Sequence, residues 1–282
     1  MSRRLLINLV LFFCVIGLAA FLSTNKEQEA KNPELREQEV TLTDVHPDSI
    51  YRIYIERRDF DDIIFQKQDG HWTMQSPFNL PANPSRIKVM LKLLQAHSYG
   101  HFSAPDNDLT PFMLAVPAVS IVFNDTRIAF GNTNPLEGKV RYVLVEDTVH
   151  IINDSLFHQI QTSATFFLNP KLVPPDATIK TIHLPELTID NTENDNMSEA
   201  HQQIINAWKQ VESVSVRKYE EIEPIDTIKL ELTSGRIIEF IILSARPNLI
   251  LARMDVGIQY YISNTVSDSL FPTKPEIESV PE

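Results

Sequence analysis

The chain has 282 residues, a formal net charge of −12 and a single cysteine, Cys14. One cysteine excludes an intrachain disulfide. No basic patch offsets the acidic composition, so the surface should repel nucleic acid and anionic lipid headgroups, and we expect no nucleic-acid partner.

An apolar run near the N-terminus, Leu5–Leu22, follows Arg3 and Arg4. About 18 apolar residues make a slightly short membrane-spanning helix, and positive charges at its start favour a cytoplasmic N-terminus. The sequence therefore predicts a cytoplasmic segment at residues 1–4 and a transmembrane anchor at residues 5–22, through which the protein contacts the membrane. The rest of the chain should lie on the far side.

A cleaved signal peptide is the alternative interpretation of this segment. Such peptides have a shorter apolar core followed by a cleavage site of small residues. The small residues Gly17–Ala19 lie inside the apolar run, which continues through Phe21 and Leu22. This arrangement favours an uncleaved anchor.

The remaining chain divides by composition. A polar, charged stretch predicts a stalk, a long part rich in β-branched and aromatic residues predicts folded modules, and a proline-rich acidic end predicts a flexible tail. The prolines of Leu168–Asp176 indicate a stiff spacer between two modules. The predicted segments are a stalk at 23–44, a first module at 45–172, a second, divergent module at 173–271 and a tail at 272–282.

Two amphipathic helices suggest an internal repeat. Asn83 is a suitable N-cap before Pro84, and Gly100 is a plausible terminator. Ser198 caps the second helix. Apolar residues at i, i+3, i+4 and i+7 form one face of each helix: Ile87, Met90, Leu91 and Leu94 in the first, and Ile204, Ala207, Trp208 and Val211 in the second.

A similar series of strands follows each helix. The predicted strands are Val119–Phe123, Arg127–Phe130, Arg141–Val145 and Val149–Ile152 in the first module, and Ile228–Leu232, Arg236–Leu243, Leu249–Arg253 and Gln259–Ile262 in the second. The two series close on similar segments, Asn153–Phe157 and Ser267–Phe271.

The modules differ at their starts. The first begins with a strand, Ile50–Glu56, and a hairpin of Ile63–Gln68 and His71–Met74, whereas the second has one clear strand, Ile179–Leu184, and no obvious hairpin before the acidic stretch Asn191–Ser198. We therefore predict an α+β fold of two tandem related modules, each an antiparallel β-sheet with a helix packed on one face, after an N-terminal transmembrane helix.

No residue pattern identifies a catalytic, cofactor-binding or metal site, so we assign no catalytic residues and no cofactor. His97 and His101 have metal-ligand spacing, but no third ligand is evident, and a solvated surface pair is the better interpretation. The acidic clusters 59–62 and 106–108 fit turns, since the positions of an EF-hand glycine and glutamate after Asp106 are Pro111 and Pro117.

Some motifs of the first module resemble a known family. The sequence Asp69-Gly70-His71-Trp72, followed by Ser76-Pro77 and Ala82, is similar to the opening of the bacterial domain of unknown function forty-three forty. The sequence from Phe130 to Leu136, together with Arg141–Val145 and Asp147–His150, is similar to its second half. The resemblance is clear from Ile50 to Leu172 and weak in the second, divergent module.

The resemblance implies a membrane-attached periplasmic protein of Gram-negative bacteria. It also implies neighbours among gliding-motility-type ABC transporter components, and no activity or catalytic residues. We therefore expect a non-enzymatic scaffold or accessory subunit with a protein partner in the inner membrane or periplasm. The alternatives are a module that binds a small molecule or envelope glycan between the two modules, and a hydrolase using Glu137, Asp147 and Asp154.

Overall fold

The computed structural model describes residues 40–134, 139–192 and 197–271. It has two antiparallel sheets and few helices, which agrees with an α+β fold. The strands of the first sheet are β1 Arg52–Arg57, β2 Ile63–Gln68, β3 His71–Ser76, β4 Leu80–Pro81, β5 Gly100–Ser103, β6 Val119–Phe123, β7 Thr126–Thr133, β8 Val140–Val145 and β9 Thr148–Asn153. Those of the second are β10 Ile179–Leu184, β11 Leu187–Asp190, β12 Ser215–Lys218, β13 Asp226–Leu232, β14 Ile237–Ser244, β15 Leu249–Arg253 and β16 Ile258–Ile262.

The α-helices and 3-10 helices connect these strands. The α-helices are α1 Pro84–Leu91, α2 Phe157–Ile160, α3 Glu199–Gln210 and α4 Asn264–Ser267. The 3-10 helices are Pro47–Ser49, Lys92–Gln95, Thr110–Phe112, Ala164–Phe167 and Asp268–Leu270.

The two sheets have the same strand order over seven positions. The first runs β4-β3-β2-β1-β6-β7-β8-β9-β5 and the second runs β11-β10-β13-β14-β15-β16-β12. If β1 is matched with β10, each later strand of one sheet has a counterpart at the same place in the other. The first sheet differs by two additional strands, β3 and β4, beside β2.

The first long helix, α1, begins where the sequence predicts. The Asn83 side chain accepts hydrogen bonds from the backbone N–H groups of Ser85 and Arg86. The helix ends at Leu91 and continues as a 3-10 turn, whereas Gly100 starts β5, so the prediction of Gly100 as helix terminator is wrong. Leu91 is only half-buried, and Leu93 lies in the core instead because the 3-10 turn rotates the apolar face.

The second long helix, α3, packs on the second sheet. The Ser198 side chain accepts a hydrogen bond from the N–H of His201, as the predicted cap requires. Trp208 is fully buried, its indole N–H donates to the carbonyl of Leu270 at 2.9 Å, and its ring lies 5.8 Å from that of Phe240 on β14. The buried indole therefore ties the helix to both the sheet and the end of the described chain.

The join between the modules is a paired, buried segment rather than a free spacer. Leu168 forms a bridge with Ala82, and the N–H of Asn169 donates to the carbonyl of Pro81 at 2.9 Å. On the other side, the N–H of Ser213 donates to the carbonyl of Pro170 at 2.9 Å. The side chains of Leu168, Leu172 and Val173 are each 2% exposed, within one hydrophobic core that extends through both modules.

Three further details differ from the sequence-based expectation. Residues 40–44, assigned to the stalk, belong to the fold: Leu42 is buried and its N–H donates to Ala96 at 2.8 Å. The second module does begin with a hairpin, β10–β11. The similar segments that close the modules are not equivalent, because Asn153–Phe157 starts at the last residue of the strand β9 whereas Ser267–Phe271 starts at the last residue of the helix α4.

The predicted cytoplasmic segment, anchor and tail, at residues 1–4, 5–22 and 272–282, lie outside the described residues, as does most of the predicted stalk. Within the three described ranges, no helix has both the length and the apolar character needed to cross a membrane.

Candidate functional site at the junction of the modules

A cavity of about 480 Å³ lies where the two modules meet. The first module contributes its extra strands β3 and β4, the join contributes its proline-rich segment, and the second module contributes the β13–β14 turn, β15 and β16. The lining residues are Thr73, Asn79, Leu80, Pro81, Leu168, Asn169, Lys171, Leu172, Val173, Pro174, Pro175, Arg236, Arg253 and Tyr260. The volume is in the range of sites that hold small molecules.

The lining is basic although the chain is acidic. Lys171, Arg236 and Arg253 line the cavity and no aspartate or glutamate does, in a chain with 25 basic and 37 acidic residues. Such a surface creates a local positive potential within a negative molecule.

Buried Arg253 is the most constrained of the three cations. Its side chain is 4% exposed, and its Nε and Nη2 atoms donate to the Asp255 carboxylate at 3.1 and 2.5 Å. Asp255 itself is 58% exposed on the side chain and does not line the cavity. The guanidinium therefore keeps its charge in a buried position because an acid at the rim compensates it.

Tyr260 lies beside Arg253 and supplies a hydroxyl to the cavity. Burial raises the pKa of Tyr260, and the adjacent Arg253 guanidinium opposes the shift. Its phenol is therefore neutral at physiological pH and can donate or accept a hydrogen bond. Its ring packs 6.1 Å from Phe240, which fixes its orientation.

Lys171 and Arg236 are placed by backbone pairing on either side of the cavity. Lys171 forms a backbone bridge with Glu212, and its ammonium lies 3.9 Å from the Glu212 carboxylate. Arg236 follows the β13–β14 turn, where Gly235 has a φ of +83° that a side chain would disfavour. No ion pair of the described residues involves Arg236.

The candidate metal ligands from the sequence do not come together in the described part of the structure. His97 stacks edge-on against Tyr99 with centroids 4.8 Å apart, and His101 lies opposite His150 on β9 instead of beside His97 on a helix. Among the described residues, no group of three or more His, Cys, Asp or Glu is placed to hold a metal ion. The cluster at 106–108 forms a turn, where Asp108 accepts the N–H of Thr110 at 2.9 Å.

The carboxylates considered for hydrolysis are far apart. Asp147 lies in the exposed β8–β9 turn, whereas Asp154 follows β9 at the other end of the same hairpin, roughly 20 Å away at 3.3 Å per residue. Glu137 lies outside the described residues. Asp154 is also occupied: Arg141 donates to both of its oxygens, at 2.7 and 2.8 Å, and both side chains are less than a tenth exposed.

The family-like motif around Gly131 has a structural role in the first module. A Cβ at Gly131 would lie 2.3 Å from the carbonyl oxygen of Phe112, so only glycine fits beneath the loop that covers this face of the sheet. Asn132 donates to the carbonyl of Pro111 at 3.1 Å, and the Arg141 guanidinium donates to the Gly131 carbonyl and lies 3.5 Å from the centroid of the Phe157 ring. These contacts hold one loop and one hairpin together.

Sequence reasoning located the junction but not its cationic residues. Lys171 is a single charge in a proline-rich segment and Arg253 ends an apolar strand, so neither pattern predicts a binding site. The only signal was a basic residue in each otherwise apolar stretch, and such residues are ordinarily solvated.

The chain belongs to a protein family defined by one shared domain. The model of this family, described as Domain of unknown function (DUF4340), matches residues 72–235, more than half of the chain. Neither a curated protein nor a solved structure matches the chain.

The matched segment clarifies the extent of the resemblance. It starts in β3 and ends in the β13–β14 turn, so it includes the join and the front of the second module. The resemblance seen in the sequence started earlier and weakened after Leu172. The family domain therefore contains the whole of the join and several of the residues that line the junction cavity.

Proposed function

We propose that the protein is a single-pass bacterial inner-membrane protein, with a cytoplasmic N-terminus and a periplasmic bulk, that acts as a non-enzymatic scaffold or accessory subunit of a membrane complex. An association with an ABC transporter is the proposed setting. The apolar run Leu5–Leu22 supports the anchor. In this proposal the two modules descend from an internal duplication, which their common strand order supports.

The observation that carries the scaffold proposal is the arrangement of sheet edges. The join pairs with the Pro81–Ala82 segment of the first sheet and with Glu212 and Ser213, which precede β12 of the second. The outer strands β5 and β11 each pair on one side only within the described residues. Free strand edges are templates for an added strand of a partner.

Site-specific photo-crosslinking in native membranes tests this proposal. A photoreactive residue would be placed at Ser103 of β5 and at Thr188 of β11, which are both exposed, with Lys209 on α3 as the exposed control. We expect one defined adduct from an edge position and none from Lys209. Recovery of the uncrosslinked protein as a monomer in several mild detergents would count against the scaffold.

A second candidate function is the binding of a small molecule or envelope glycan. The observation that favours it is the junction cavity of about 480 Å³, which the join and both modules line. Thermal-shift screening of the full chain against envelope glycans and metabolites tests it. A chain whose unfolding temperature responds to none of them would remove this candidate.

A further inference from the structure

We propose that the junction cavity binds a small ligand of about monosaccharide size through an oxyanion, a phosphate or a carboxylate, that Lys171, Arg236 and Arg253 recognise. The inference deepens the second candidate function, on which it rests, by naming the chemical class of the ligand. It is independent of whether the outer sheet edges bind a protein.

The charge distribution carries the first step. All the charged side chains lining the cavity are basic, although acidic residues outnumber basic ones in the chain. Three cations that line one cavity favour a negatively charged ligand over a neutral one, because their mutual repulsion is unfavourable. An anion in the cavity relieves that repulsion and gains charge-assisted hydrogen bonds.

The burial of Arg253 carries the second step. A guanidinium that is 96% buried on its side chain needs a negative partner, and Asp255 provides one from outside the cavity. Glu212 stands in the same relation to Lys171 at 3.9 Å. Both acids therefore hold cations in place without filling the cavity, and both compete electrostatically with an incoming anion.

The remaining lining fits the body of such a ligand. Asn79, Asn169, Thr73 and Tyr260 offer amide and hydroxyl groups for hydrogen bonds to a polar ligand, and Pro174 with its neighbours Val173 and Pro175 forms a firm apolar wall. The lining therefore combines polar groups with apolar surface, as small-molecule sites do. Part of the wall comes from β3 and β4, which have no counterpart among the described strands of the second sheet.

The test is calorimetric titration of the full-length chain in mild detergent at low ionic strength. The probes are inorganic phosphate, glucose 6-phosphate, glucuronate and glucose, together with vesicles containing phosphatidylglycerol. We expect saturable binding of at least one oxyanion probe and weakening with added salt. A response to the vesicles alone, lost in the variant described next, would assign the oxyanion to a lipid headgroup and retain the proposal.

Variants separate recognition from folding. Lys171→Gln combined with Arg236→Gln should raise the Kd about tenfold or more, whereas Lys218→Gln, an exposed lysine on β12 that does not line the cavity, should leave it unchanged. Asp255→Asn should lower the Kd severalfold, because it removes a competing negative charge. An increase in affinity cannot result from misfolding, so this variant keeps the test informative.

Three results would overturn the inference. Oxyanion binding that is indifferent to both the double variant and Asp255→Asn would place the anion elsewhere. Binding of glucose as tight as that of glucose 6-phosphate would remove the anionic class while leaving the second candidate function standing. If none of the probes binds, the inference fails, and the glycan and metabolite screen decides separately on the candidate function.

Discussion

The two modules have one strand order but different surroundings. In each module a long helix, α1 or α3, precedes an edge strand, β5 or β12, and hairpins follow that strand. Only the first module has the additional strands β3 and β4. Those two strands reach the join through Pro81 and Ala82 and form one wall of the cavity. The candidate site therefore depends on β3 and β4, the strands in which the two otherwise similar modules differ.

The largest effect is expected from a substitution that disrupts the core of the second module. Trp208→Asp should abolish cooperative unfolding, because it places an unpaired charge at a fully buried site. Because the core extends through both modules, the first should lose its near-UV circular dichroism as well. Leu91→Asp, at a half-buried position of α1, is the milder companion. A first module that stays folded in Trp208→Asp would show that the cores are independent.

Each module has a buried arginine paired with an aspartate, and the two should respond differently when that aspartate is removed. Asp154→Asn leaves Arg141 buried without its charged partner and should cost about 3–5 kcal/mol in unfolding free energy. Asp255→Asn also leaves a buried arginine, Arg253, without its charged partner, but it should cost less, because the Asp255 carboxylate is 58% exposed and solvent already screens the pair. Denaturant unfolding of both variants measures the contrast. Equal losses would contradict the role of burial.

A smaller effect is expected for the loop that covers the first sheet. Gly131→Ala should destabilise by about 1–3 kcal/mol, because its Cβ would meet the Phe112 carbonyl at 2.3 Å. Gly100→Ala is the matched control, since its Cβ would make an ordinary contact of 3.7 Å with Ile151. The measurement is again unfolding free energy. A Gly100 variant as unstable as the Gly131 variant would show that loss of glycine, and not the close approach, is responsible.

The smallest expected effect is a loss of stability at low pH at the β5–β9 edge of the first sheet. Burial, and secondarily the adjacent His101, lower the pKa of His150 below its ordinary 6.5. The unfolded state then binds the proton more tightly, so stability is lost as the pH falls from about 6.5 towards the lowered folded-state pKa. Amide hydrogen exchange should accelerate at β5 and β9 in this window and not at their counterparts β12 and β16, which pair without histidines. His150→Gln should flatten the response; unchanged pH dependence would assign it to other groups.

The sequence predicted the parts of the fold whose signals are local. The caps at Asn83 and Ser198 and the strand Leu249–Arg253 are found as predicted, because capping and alternation depend on neighbouring residues. The short edge strands β5, β11 and β12 were missed. Each has four residues and pairs on one side, so burial imposes only a weak alternation on its sequence.

The candidate site lay beyond local signals. Lys171, Arg236 and Arg253 come from three segments that meet only through the packing of the join. The same limit affected the helix face, where a 3-10 turn buried Leu93 and left Leu91 half-exposed. Spacing rules assume one regular helix, and the change of helix type broke that assumption.

The paired join should also resist proteolysis. Proline-rich connections between modules are ordinarily the exposed places where chains are nicked. Here Leu168–Lys171 is bonded on both sides, and Leu172 and Val173 are buried directly after it. Cutting there requires the core to open first, so we expect cleavage at the join only in molecules whose shared core has unfolded.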